Sequence, residues 1–139
     1  MIAVDTNVLA RFYVDDPADP EAARQRPAAR RVLAQPSVFV PLSVVLELEW
    51  VLRALYQFSP GDFNRVLEHL FGLPNVTVEN WTLAAQALDA HLQGMDFADA
   101  LHLACSAHCS SFVTFDRRRF ASKAKRLGLL PEVVLPGMR

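Results

Sequence analysis

Short runs of β-branched residues alternate along the chain with longer stretches of helical periodicity. Ile2 to Val4 predicts a strand, and Asn7 to about Val14 a helix closed by Asp15-Asp16-Pro17. Glu21 to about Ala34 predicts a second helix, which Pro27 should kink or split because proline lacks an N–H and crowds the preceding turn. Val38-Phe39-Val40 is a second strand, after which Ser43 opens a helix to about Tyr56. Ser59-Pro60-Gly61-Asp62 has the form of a capping box with proline at the first helical position, so a helix runs on to about Phe71. Val76-Thr77-Val78 is a third strand. Asn80 should cap a helix that ends at Gly94, and Asp96 another that reaches about His108. Phe112 to Phe115 is a fourth strand, the Arg/Lys segment 117–126 a short helix, and Glu132 to Leu135 a last strand. Strands alternating with crossovers of this length predict the α/β class, with a parallel sheet and helices on both faces. With no repeat, linker or low-complexity tract, residues 1–139 read as a single domain.

Composition narrows the function. The chain has 139 residues, 52% hydrophobic and 21% charged, which excludes a disordered or fibrous chain. Fourteen Lys+Arg against fifteen Asp+Glu give a net charge of −1, so nucleic-acid binding has to come from local patches. Twelve of the basic residues are Arg, whose planar fork suits phosphate. The N-terminus lacks a secretory pattern, and no stretch approaches the ~20 apolar residues of a membrane span. Cys105 and Cys109 lie on one helical pattern, so the expectation is a reduced, cytoplasmic protein without a membrane.

The acids carry the chemistry. Two strands run into aspartates, Asp5 and Asp116, and in an open parallel sheet the carboxyl ends of the strands share the edge where ligands bind. Each could instead cap the following helix. On the helix from Ser43, Glu49 and Arg53 are spaced for an ordinary solvent-facing ion pair. Glu47, about 200° round the helix from Glu49, shares a face with Leu46, Trp50, Val51 and Ala54. A carboxylate on an apolar stripe costs free energy unless it meets a cation or donors. The segment from Met95 to Ala104 is apolar almost all round, with Asp96, Asp99, His102 and Ser106 as its polar stripe. Asp96 is a natural N-cap, and Asp99 at N3 can return the bond. Asp5, Glu47, Asp99 and Asp116 thus all fall at strand ends or in early turns of the helices that follow. Gathered at one edge they would repel, and a hard divalent cation with oxygen ligands is the usual remedy. A zinc site from His102, Cys105 and Cys109 is disfavoured, since one helix cannot wrap a tetrahedral ion.

Four segments, taken in order, resemble the motif series of PIN-domain ribonucleases, above all the toxins of VapBC-type toxin–antitoxin pairs. They are Val4-Asp5-Thr6-Asn7-Val8-Leu9, Val45-Leu46-Glu47-Leu48-Glu49-Trp50-Val51-Leu52-Arg53, Asp96-Phe97-Ala98-Asp99-Ala100-Leu101 and Thr114-Phe115-Asp116. The resemblance implies a three-layer α/β/α sandwich with a short, mainly parallel sheet. It also implies a Mg2+- or Mn2+-dependent endoribonuclease whose acidic metal site is Asp5, Glu47, Asp99 and Asp116. Asn7 and Thr114 match positions that orient these carboxylates by hydrogen bonds, and Asp96 stands beside them as cap or ligand. Two departures are Pro27, in a normally continuous helix, and Glu49, where an apolar residue is common.

RNA must approach acids, so cations should flank them. Arg117, Arg118, Arg119, Lys123, Lys125 and Arg126 follow Asp116 directly, and Arg24, Arg26, Arg30 and Arg31 form a second cluster. The resemblance implies an antitoxin segment laid between helices and a toxin homodimer, for which Phe12, Tyr13, Trp50, Leu55, Tyr56 and Phe58 supply apolar surface. The alternative is a catalytically silent PIN-like RNA-binding or scaffold module. A haloacid-dehalogenase-like phosphatase would need a second Asp after Asp5-Thr6, where Asn7 stands. A response-regulator receiver would need adjacent N-terminal acids and a late strand-end Lys, and neither is found.

Overall fold

The structure is a computed structural model, and it describes residues 1–137. The chain divides into two compact units, Met1–Trp81 and Thr82–Arg139. All strand pairs are parallel, as the alternation of strands and helices predicts. No helix among the described residues is long and apolar enough to cross a membrane.

In the first unit, β1 (Ile2–Ala3), β2 (Val38–Val40) and β3 (Val76–Val78) form a sheet in the order β1-β2-β3. Val38 and Val40 of the central strand are fully buried, as expected of a strand with a neighbour on each side. The helices are α1 (Thr6–Tyr13), α2 (Pro20–Leu33), α3 (Leu42–Tyr56) and α4 (Pro60–Gly72). Leu9, Leu33, Val45, Leu48, Leu52, Phe63, Leu67 and Leu70 supply their buried faces. The capping box at α4 forms as predicted: Ser59 Oγ accepts from the Asp62 N–H at 3.1 Å and Asp62 returns the bond at 2.9 Å. Pro27 does not split α2, which is continuous. Its missing N–H frees the Ala23 carbonyl, and both residues lie on the exposed side of the helix, where water can satisfy that oxygen. α3 begins at Leu42 rather than Ser43, and its Leu42 N–H is capped by Glu79 Oε1 at 2.8 Å, from beyond β3.

The faces of α3 are reversed from expectation. Val45, Leu48, Glu49 and Leu52 are buried, whereas Glu47, Trp50 and Ala54 are exposed. The Glu49–Arg53 pair is present at 2.9 Å, but Glu49 is only 4% exposed and is no solvent-facing ion pair. Apolar residues occur all round this helix, so periodicity alone could not choose the core face.

The second unit holds most of α5 (Trp81–Leu92), then α6 (Phe97–Ala104), β4 (Ser111–Val113), a π-helical turn (Arg117–Ala121), α7 (Ser122–Arg126) and β5 (Glu132–Val134). β4 and β5 pair with Phe112 opposite Val133. Met95, Phe97, Leu101, Leu103 and Phe120 are buried, and Phe112 stacks on Phe120 with ring centres 5.0 Å apart. Asn80, expected to cap α5, has a left-handed backbone (φ 46°) in place of the extended form of an N-cap. α6 stops at Ala104, short of His108: Cys105 is its C-cap and Cys109 lies in the following turn, so no helical stripe joins His102 to both thiols.

Candidate active site

β1 and β2 are parallel neighbours, so their carboxyl ends lie on one edge of the first sheet. Asp5 stands just beyond β1. It is exposed and caps α1, its carboxylate accepting the Val8 N–H at 3.2 Å. Glu47 lies in the second turn of α3, the helix that follows β2. The two motifs meet through Thr6: its buried hydroxyl donates to Glu47 Oε1. Thr6 is a residue that the sequence reading missed, although it stands between Asp5 and Asn7 in the same motif. Asn7 itself is exposed and lines, with Asp5, Arg11 and Gln25, a cleft of about 310 Å³ between α1 and α2. Glu79 is a further acid at this edge, spent on capping α3.

In the second unit Asp96 caps α6, its Oδ2 accepting the Asp99 N–H at 3.1 Å. Asp116 caps the π-helical turn, its Oδ1 accepting the Arg119 N–H at 2.8 Å, while its own N–H donates to Thr114 Oγ1 at 3.1 Å. Thr114 thus steadies the backbone of Asp116. Asp99, partly buried in the first turn of α6, is the perturbed member. Its pKa is pushed up to about 6, first by burial and then by the negative charges of Asp96 and Asp116, with His102 opposing.

A partly buried Asp99 facing the charges of Asp96 and Asp116, all three with hard oxygen ligands, suits a Mg2+-like cation. Each cap uses one oxygen of its carboxylate and leaves the second for other partners. Among the described residues no three His, Cys, Asp or Glu side chains are already gathered tightly enough to hold an ion. Arg117, Arg118 and Arg119 are exposed beside Asp116. Lys123, expected to face phosphate, instead donates from Nζ to the Gly94 carbonyl at 2.6 Å. In the second basic cluster, Arg26 is paired with Asp15 at 3.0 Å. Of the apolar candidates for a docking face, Trp50 and Leu55 on α3 are 55% and 59% exposed. Phe12 and Tyr13 pack together at 4.9 Å, with the Tyr13 hydroxyl 2.7 Å from His69 Nδ1.

Among solved structures, the chain is similar to the VapC20 toxin of Mycobacterium tuberculosis, described as cleaving the sarcin–ricin loop. Identity is 19% over 94% of this chain and 97% of that one, with a TM-score of 0.42. No curated protein matches. The profile of the PIN domain family matches residues 2–126, nearly the whole chain, and the protein belongs to that family.

Proposed function

We propose that this PIN-domain protein is a Mg2+- or Mn2+-dependent endoribonuclease and the toxin of a toxin–antitoxin pair, with residues 1–139 acting as one domain. The family profile runs across both compact units, which supports the single-domain reading. The observation that carries the chemistry is the setting of Asp99, whose pKa is lifted to about 6 first by burial and then by the negative charges of Asp96 and Asp116. A family member that kept its fold merely to bind RNA has no need to sustain such repulsion.

In this reading Asp5 and Asp99 are the direct ligands, while Glu47 and Asp116 hold a second ion or orient water. When bound, such a cation polarises the scissile phosphate, lowers the pKa of a bound water and offsets charge on the leaving oxygen. The chain's own residues do the positioning. Thr6 keeps Glu47 in one orientation, and Thr114 holds the backbone from which Asp116 projects. Arg117, Arg118 and Arg119 draw in the phosphates of the strand. In-line attack of water on phosphorus breaks the P–O3′ bond and leaves a 5′-phosphate and a 3′-hydroxyl.

The exposed Trp50 and Leu55 supply apolar surface for an antitoxin or for a second copy in a homodimer. Purified protein should cut RNA with Mg2+ and stop cutting in EDTA. Asp5→Asn or Asp99→Asn should lower cutting by roughly 10²- to 10³-fold with the circular dichroism spectrum unchanged. Undiminished cutting by either variant refutes the assignment.

A further inference from the structure

The turn between α5 and α6 sets where Asp96 and Asp99 begin, and both backbone and side-chain hydrogen bonds tie it down. Gly94 has a left-handed backbone (φ 102°), a conformation that favours glycine over residues with a side chain. The Gly94 N–H donates to the His91 carbonyl at 3.0 Å and the Met95 N–H to the Ala90 carbonyl at 3.1 Å, which closes the end of α5. Two side chains then hold the turn's own carbonyls. Buried His91 bonds the Met95 carbonyl through Nδ1 at 2.8 Å, so that nitrogen carries the proton. Lys123 Nζ donates to the Gly94 carbonyl at 2.6 Å. Lys123 belongs to α7, which continues the π-helical turn capped by Asp116.

We infer that Lys123 is a positioning residue: it is a strut that ties the helix headed by Asp116 to the turn that launches Asp96 and Asp99, and so sets the spacing of these carboxylates. This rests on the reading of the carboxylates as a metal site. Lys123 acts through the backbone it holds, since its ammonium reaches the Gly94 carbonyl.

The test is a Mn2+ titration of the full chain by calorimetry, without RNA, on the wild type, Lys123→Met and Lys123→Arg. Losing a residue that orients metal ligands typically weakens binding about 10- to 100-fold, and that is the loss expected for Lys123→Met. Lys123→Arg, which keeps a donor, should recover most of the affinity, whereas a role in overall stability alone would move the melting temperature and leave Mn2+ affinity intact. Affinity for a short single-stranded RNA in EDTA should be nearly unchanged in Lys123→Met. Wild-type Mn2+ affinity with weakened RNA binding would overturn the strut and make Lys123 a phosphate contact. Should Lys123→Met fail to fold, Lys123→Gln, with a shorter donor, should give an intermediate loss, and wild-type affinity there would overturn the inference. A wild type that binds no Mn2+ would instead overturn the metallonuclease reading, and the strut with it.

Discussion

The acids of the two units are stabilised differently. In Met1–Trp81, Asp5 and Glu47 each meet a donor, the Val8 N–H and the Thr6 hydroxyl. In Thr82–Arg139, Asp96 and Asp116 likewise accept capping bonds, but Asp99 is partly buried and faces their negative charge, and its pKa rises. A carboxylate that is partly buried and crowded by like charge is ionised at a cost. A cation would therefore gain most beside Asp99, where it relieves that cost.

The strongest way to break the contrast is to remove a carboxylate from each side. Asp99→Asn and Asp5→Asn should each lower RNA cleavage by roughly 10²- to 10³-fold, since the ion supplies several kcal/mol at about 1.36 kcal/mol per tenfold. Initial-rate assays in Mg2+ check this, and a variant within twofold of wild type would remove that residue from the site. Replacing Arg117, Arg118 and Arg119 together with Ala should weaken RNA binding and reduce the salt slope by about 2, at roughly 0.7 per phosphate contact on single strands. Fluorescence anisotropy across salt concentrations reads the slope. An unchanged slope would leave these arginines as mere surface charge.

Thr6→Val deletes the donor to Glu47 in a similar volume. Cleavage should fall about tenfold, as for other residues that orient ligands, while Thr6→Ser recovers it. The smallest effect is on melting. Because folding raises the Asp99 pKa, the native state binds more protons than the unfolded state between the ordinary aspartate range and about pH 6. Stability contributed by this group is therefore present at low pH and lost as pH rises through that window. Asp99→Asn should melt a few degrees above wild type at pH 7 and together with it near pH 4, with Mg2+ closing the gap. Equal melting at both pH values without Mg2+ would show that Asp99 is not crowded.

Much of the fold was legible because its signals are local. The Ser59–Asp62 box, the caps at Asp5, Asp96 and Asp116, and the three-residue runs at β2 and β3 are each written within a few residues. What failed depended on distant partners. The core face of α3 was ambiguous, since apolar residues surround it, and Glu49 rather than Glu47 is the buried acid. The cap of α3 comes from Glu79, 37 residues away. Thr6 stands between the louder Asp5 and Asn7, and Lys123 looks like every other cation in its basic run because its partner, the Gly94 carbonyl, lies 29 residues away.

The most direct test is a carbon-detected NMR titration of the Asp99 carboxyl, with and without Mg2+. The account predicts a midpoint near 6 without the ion, displaced downward when Mg2+ is added. A midpoint in the ordinary aspartate range, indifferent to Mg2+, would contradict it.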